Sequence, residues 1–373
     1  MGVIFNSQSD HVTLGMELEL QLIKRSDFDL AAKAKELMDI IEQSKYKKLI
    51  KPEITQSMIE LNSSICDSPQ TLLVDLNNIS KFITHKANDL NVYIAGGGVH
   101  PFQFWSLRKI FPSPRFIQKA NEHGYLSKQI TVFAMHVHVG CSNGEDALYL
   151  THLFTRFLPQ LIAVSASSPF YQGAVTGFQS TRNTLFTSLP TNGVMPYLTT
   201  WDEFSNYFNN AIALGLVETM KDFYWDVRPK PEFGTVEIRI CDMPLTLSKA
   251  ITIAAYIQTL ARYLLLERPM KVQPDLYMVY PYNRFQASRF GYDADFINAY
   301  SFKHSWLGDD ILETIEKIQP HAIALGNQDY LSRIAQWTSN NQTDANTLLN
   351  IYHDTNDLEK VVQEQCRLWK ESL

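Results

Sequence analysis

Residues 15–22, GMELELQL, alternate without a break: Met16, Leu18, Leu20 and Leu22 fall on one side, Glu17, Glu19 and Gln21 on the other. A period of two is the mark of a half-buried β-strand and does not suit a helix. The segment therefore commits the chain to a sheet with one face on a core and the other polar. Glu is a poor strand former, and carboxylates two apart on one face lie about 7 Å from each other and repel. A solvated strand face tolerates that arrangement; a divalent cation would make use of it.

The same alternation recurs. In TVFAMHVHVG, Phe133, Met135, Val137 and Val139 oppose His136 and His138; in FGTVEIRICD, Val236, Ile238 and Ile240 oppose Glu237 and Arg239. In KPEITQSMIELN, Glu53 and Glu60 flank a segment that ends in a strand. The patterns predict strands over 12–24, 57–65, 92–96, 131–141 and 234–242. They predict helices over 30–45, 69–90, 144–166, 202–214, 245–266 and much of 308–371. Strands that alternate, rather than running as continuous Val/Ile segments, predict a largely antiparallel sheet with helices on its other face. With no repeat and no low-complexity linker, we expect one catalytic domain over 1–373, helical from about residue 308.

Charge and cysteine usage narrow the partners. A formal net charge of -6, with no basic run longer than KYKK (45–48), argues against nucleic acid and anionic membranes. Cys66, Cys141, Cys241 and Cys366 lie 75, 100 and 125 residues apart, which is neither a metal-binding pair nor a disulfide framework. A reducing cytoplasm is the expected location. There is no run of 18 apolar residues and no signal-peptide pattern, and Asn6 stands where a myristoylation motif needs Ser or Thr.

Several strands thus offer Glu and His to one surface, which suits a hard divalent cation. Mg2+ takes oxygen ligands and couples a few carboxylates to substrate phosphates. Each element alone also fits a solvated face, and an isolated His-x-His suggests zinc, although no third His or Cys follows at zinc-site spacing. Three further stretches stand out. AGGGVHP (95–101) is either a turn or a backbone cradle for phosphate. WDVRPKPEFG (225–234) places Arg228 and Lys230 just before the strand with Glu237 and Arg239. YNRFQASRFG (282–291) carries Arg284 and Arg289, for phosphate or for surface salt bridges.

GMELELQL, KPEITQSMIELN, GGGVHPF, HVHVGC, SSPFYQG, WDVRPKPEFGTVEIRICDMPLTL and YNRFQASRFG follow one another over about residues 11–370. In this order the chain resembles the carboxylate-amine ligase family, also called type 2 glutamate-cysteine ligases. The resemblance implies an α+β, glutamine-synthetase-like catalytic fold, with a curved, largely antiparallel sheet forming a funnel and helices packed on its outer face. It implies ATP and roughly two or three Mg2+ ions, replaceable by Mn2+. It implies metal binding by Glu17, Glu19, Glu53, Glu60, Glu237 and His138. It places Arg239, Glu237 and Arg228 in catalysis and Arg239, Lys230, Arg228 and His138 at the nucleotide.

The reaction implied is conversion of a carboxylate, glutamate or similar, to an acyl phosphate that an amine such as cysteine attacks, in an enzyme that could be a homodimer. A small-molecule kinase on the same Mg-ATP site and a non-catalytic ligand-binding protein are the alternatives. One departure from the family pattern is Val175, where many relatives have Asp.

Overall fold

The alternating segment runs through the middle of the sheet. In the computed structural model, which describes residues 2–7 and 12–373, seven strands form that sheet: β1 (Leu14–Lys24), β2 (Ile50–Pro52), β3 (Met58–Asn62), β4 (Val92–Ala95), β5 (Ala134–Gly140), β6 (Val227–Lys230) and β7 (Thr235–Asp242). The order is β6-β7-β5-β1-β3-β2, with β4 continuing beyond β5 along β1, and every pairing is antiparallel. Met16, Leu18, Leu20 and Leu22 are buried on the helix-covered face, as their period requires.

The five predicted strands are present, their ends within a few residues of the expected ones. The two missed strands, β2 and β6, form the two edges of the sheet. Both are short and contain proline (Pro52, Pro229), which cannot donate to a ladder and so is confined to edges.

Nine helices matter to the argument: α1 (Pro69–Asp89), α2 (Pro114–His123), α3 (Gly144–Ser165), α4 (Leu247–Glu267), α5 (Asp275–Phe290), α6 (Leu307–Leu325), α7 (Gln328–Ser339), α8 (Asp344–Thr355) and α9 (Leu358–Glu371). Side-chain caps start several of them. Ser68 and Thr71 form a capping box ahead of α1, and Asn143 accepts from the Asp146 N–H at 2.8 Å ahead of α3. The apolar sides of α3 and α4 cover the sheet, and one continuous core runs from Leu14 of β1 to Trp369 of α9. Periodicity missed α2 and α5. The inward side of α2, Phe116, Lys119, Ala120 and His123, is only half-buried and mixes apolar with charged residues, so it shows no clean apolar stripe, and α5 contains Pro281 in mid-helix.

The glycines of AGGGVHP serve packing. A side chain on Gly96 would collide with the Pro244 carbonyl, and one on Gly98 would lie 2.6 Å from the Asp242 carboxylate carbon. The Gly97 and Gly98 N–H groups donate to the Met243 carbonyl and to Ser167 Oγ, at 3.0 and 2.9 Å. Those two amides are therefore unavailable to a phosphate.

Candidate active site

Strand register assembles the polar face. Glu17 stands opposite His136 on β5 and Asn62 on β3; Glu19 stands opposite Glu60; Glu237 stands opposite His138 on one side and Arg228 on the other. Directly opposed side chains lie about 4.5–5.5 Å apart at Cβ, so register alone gathers Glu17, Glu60, His136, His138 and Glu237. Glu53 joins them from the turn between β2 and β3. An extra residue between Ile238 and Cys241 makes a bulge against β5 in the part of β7 that contains Arg239, whose N–H continues the β6 register and donates to the Asp226 carbonyl at 2.9 Å.

Glu17 Oε2 lies 3.0 Å from His136 Nδ1, and Glu17 Oε1 lies 3.5 Å from His138 Nε2. Glu19 accepts from the Ala134 N–H at 2.6 Å, Glu53 from the Ile54 N–H at 3.1 Å and Glu60 from Asn62 Nδ2 at 2.7 Å. The Glu237 carboxylate is held between Arg228 Nε at 2.7 Å and Arg239 Nη1 at 2.5 Å.

The electrostatics divide these carboxylates in two. Burial works to raise the pKa of Glu17, but hydrogen bonds from His136 and His138 outweigh it and hold Glu17 well below the usual range. Glu237 is likewise held low against burial by Arg228 and Arg239. Burial pushes Glu19 up to about 7, with Arg182 working against the rise. Burial with the Glu19 charge lifts Glu53 to about 7, and burial with Glu17 and Glu53 lifts Glu60 to about 8. His136 is lowered to about 4 by burial and by Arg239, so it is neutral at physiological pH.

Three overlapping groups place one ligand atom per residue within 4.8 Å of the others: Glu17, His138 and Glu237; Glu17, Glu60 and His136; Glu19, Glu53 and Glu60. Their donors are carboxylate oxygens, joined by one imidazole nitrogen in each of the first two groups, and such oxygen-rich sets suit a hard divalent cation. Buried His138 Nε2 has only the Glu17 carboxylate beside it, at 3.5 Å, and the carboxylates of the third group are pushed up by burial and by one another although Lys51 Nζ lies 3.8 Å from Glu60. The residues therefore fit two or more divalent ions.

All of these residues except His138 line a cleft of about 290 Å³ whose far wall carries Arg115 and Lys119 of α2 with Lys221 and Tyr224, and His138 opens on the other side of Glu17. An apolar pocket of about 210 Å³ adjoins it past Glu17 and Phe233. Of the expected cations, Arg239 lines the cleft. Arg228 also reaches it, yet its donors are directed to Glu237 and to the carbonyls of Met220 and Phe223. The Lys230 ammonium bonds Glu232 at 2.5 Å. Arg289 bonds the Gly177 carbonyl, and Val175 sits on an exposed hairpin; neither lines the cleft. Arg284 lies beneath the floor, bonded to Asp226.

Sequence reasoning missed Arg182. Buried, it donates to the carbonyls of Ile240 and Arg239 at 3.1 and 3.2 Å, and its Nε has no partner. Its four-residue helix, Arg182–Leu185, shows no periodicity, so only its position in the fold marks it. The basic wall on α2 was missed for the same reason as the helix that carries it.

A sequence profile of glutamate-cysteine ligase family 2 matches residues 13–364. The chain belongs to that family. A Legionella pneumophila (strain Corby) protein named "Putative glutamate--cysteine ligase 2-1" is 48% identical over 369 residues, covering 99% of this chain and 96% of the relative. Among solved structures, the glutamate-cysteine ligase of Francisella tularensis, in complex with AMP, matches with a TM-score of 0.75 at 12% identity, over 99% of this chain and 90% of that one. A bifunctional glutathione synthetase from Pasteurella multocida matches with a TM-score of 0.71 at 14% identity, over 97% and 53%. These structural likenesses establish the α+β ligase fold with its antiparallel sheet. Membership in glutamate-cysteine ligase family 2 makes the protein an ATP-dependent ligase that forms carbon–nitrogen bonds, and disfavours the kinase and non-catalytic alternatives. Among the described residues no helix is long and apolar enough to cross a membrane.

Proposed function

We propose that the cleft joins the side-chain carboxylate of glutamate, or a similar acid, to an amine such as cysteine. The observation that carries this reading is the set of three overlapping Glu/His groups around one sheet face, in which burial and neighbouring carboxylates push Glu53 up to about 7 and Glu60 up to about 8. Glu17, Glu19, Glu53, Glu60, Glu237 and His138 would hold Mg2+ or Mn2+. When bound, such ions neutralise polyphosphate charge and orient the γ-phosphoryl group for in-line transfer.

The substrate carboxylate oxygen attacks the γ-phosphorus and ADP leaves; the amine nitrogen then attacks the acyl carbon, loses its proton, and phosphate departs. The protein supplies no nucleophile in this scheme. Arg239 steadies the phosphoryl oxygens from the bulged end of β7, while Arg182, bonded to the Ile240 and Arg239 carbonyls, holds that end in place. Arg228, enclosed and fully engaged, holds Glu237 in place. Lys230, at the boundary of cleft and apolar pocket, lies on the nucleotide side. The basic wall of Arg115, Lys119 and Lys221 faces the carboxylates of the substrates. We take the whole chain as one catalytic unit. Four buried, unpaired cysteines suit a reducing cytoplasm.

The test is release of ADP and phosphate from Mg-ATP and glutamate against a panel of amines, with products identified by mass. ADP formation that no amine stimulates would overturn the ligase assignment at this cleft. Hydrolysis of a peptide or ester without ATP would replace it with a hydrolase that uses His136 and His138.

A further inference from the structure

Helix α5 is apolar on two sides. Leu276, Val279, Tyr280, Asn283 and Ala287 are buried and fix it to the molecule. On the opposite side Asp275, Met278, Tyr282, Phe285 and Arg289 recur at alternating spacings of three and four, the narrow stripe of a helix that pairs with another helix. Met278 is 64% exposed, Tyr282 41% and Phe285 54%. A helix apolar all round belongs in an interior, yet this one has its second side open. The stripe also accounts for the part of YNRFQASRFG that the fold does not take up: Asn283 and Arg284 turn inward to the Ile297 and Asn183 carbonyls, whereas Tyr282, Phe285 and Phe290 stand exposed.

Neighbouring segments extend the stripe into a patch. The Phe285 ring meets Phe178 edge-on with centroids 5.7 Å apart, and the Arg289 guanidinium lies over the Phe178 and Phe290 rings at 5.6 and 4.9 Å. Tyr282 donates its hydroxyl to Asp295 Oδ2 at 2.8 Å, and Asp295 pairs across a hairpin with Trp306, which is 61% exposed. At roughly 200 Å² per large side chain, the open fractions of Met278, Tyr282, Phe285, Phe290 and Trp306 come to about 500 Å². That is near the upper end of what a monomer leaves exposed and, with a polar rim added, approaches the roughly 800 Å² per partner of a standard interface.

The charges fit this patch to itself. Asp275 and Arg289 stand at opposite ends of the stripe, 14 residues or about 21 Å apart, with Tyr282 midway. Arg289 Nη1 donates to the Gly177 carbonyl, which fixes the guanidinium at its end. A second copy laid antiparallel across Tyr282 sets Asp275 of each chain against Arg289 of the other and Met278 against Phe285, the self-complementary arrangement a two-fold interface requires. A surface of one sign of charge would be opposed at one end of the stripe.

We propose that α5 is the seam of a two-fold homodimer and crosses its own copy antiparallel at Tyr282. The seam uses no residue that lines the cleft, so it is independent of the ligase reading.

Sedimentation velocity of the full chain over about 0.1–20 μM tests it. At the upper end the wild type should run at twice the 42.7 kDa chain mass, with a Tm that rises with protein concentration. Phe285→Glu puts a charge in the seam and should weaken association at least about a hundredfold, leaving a monomer whose Tm no longer depends on concentration. Met278→Lys should do the same from the next turn and keeps the test open if Phe285→Glu does not fold. Tyr282→Cys reads the crossing: the four native cysteines are buried, so mild oxidation should link two chains through position 282 and not through Asp275→Cys.

A wild type that stays monomeric at about 20 μM would overturn the proposal and leave the patch to a different partner. A dimer that both charged variants leave intact would overturn it by placing the interface elsewhere. A dimer that Phe285→Glu dissolves, but in which Asp275→Cys links and Tyr282→Cys does not, would reject the antiparallel crossing.

Discussion

Glu17 of β1 and His136 of β5 face each other across the sheet with Oε2 and Nδ1 3.0 Å apart, the carboxylate held ionised and the imidazole held neutral. Glu60, one strand to the other side of β1, is pushed the opposite way. Carboxylates of one polar face therefore differ in what their removal should do.

Glu17→Gln removes a member of two of the three metal groups together with its bonds to both histidines. We expect turnover to fall by about a hundredfold or more and the Tm gain from Mg2+ with an ATP analogue to shrink. Wild type should gain up to about 2.7 kcal/mol when ligand reaches roughly 100 times its Kd. Without metal the variant should be no more stable than wild type, because the lost carboxylate was a stabilised one. Equal Mg2+-dependent shifts and normal turnover would leave GMELELQL an acidic strand and nothing more.

Glu19, Glu53 and Glu60 set the pH dependence of the metal-free protein. Their folded pKa values, about 7 to about 8, lie above the ordinary 4.5, so between those values the folded state keeps protons that the unfolded state has released. The stability they contribute is present below pH 4.5 and is lost as pH rises through 7 to 8. In EDTA, Tm should decline over that window, and Glu60→Gln should flatten the decline and raise Tm at pH 8. Mg2+ should stabilise more at pH 8 than at pH 6, since it competes with those protons. A Tm profile identical in wild type and Glu60→Gln would contradict the assignment.

Arg239→Lys keeps the charge but loses the planar fork that can engage Glu237 and a phosphoryl oxygen together. A loss of about ten- to a thousandfold in kcat is expected, at nearly unchanged Tm. Steady-state rates at saturating ATP decide it, and a wild-type rate would take Arg239 out of the site.

Gly96→Ala separates packing from phosphate binding in the triple glycine. The new methyl meets the Pro244 carbonyl, which should cost about 1–3 kcal/mol of stability while the KM for ATP stays the same in the folded protein. A raised KM with unchanged Tm would restore a phosphate-cradle role.

Much of this molecule is legible in periodicity. Alternation in GMELELQL, AMHVHVG and TVEIRICD specifies three adjacent strands and the face on which Glu17, Glu19, His136, His138 and Glu237 lie, because a one-residue slip would send every Leu and Val into solvent. The edges β2 and β6 were not legible, since proline hides a short strand in a pattern read from its neighbours. Neither was α2, whose contribution is a charged wall with no clean apolar stripe to reveal it.

What the sequence by itself determined is which residues share a face and that the face is acidic, for that follows from local period and burial. What only the tertiary structure decided is the use of each cation. Arg228, Arg239 and Arg182 are alike as letters, yet one is locked on carbonyls, one sits in a bulge facing the cleft, and one keeps a buried unpaired Nε. The reason is physical: a guanidinium's role depends on which acceptors surround it, and those acceptors come from segments far apart in the chain, brought together by register, a bulge and a helix that no local pattern encodes.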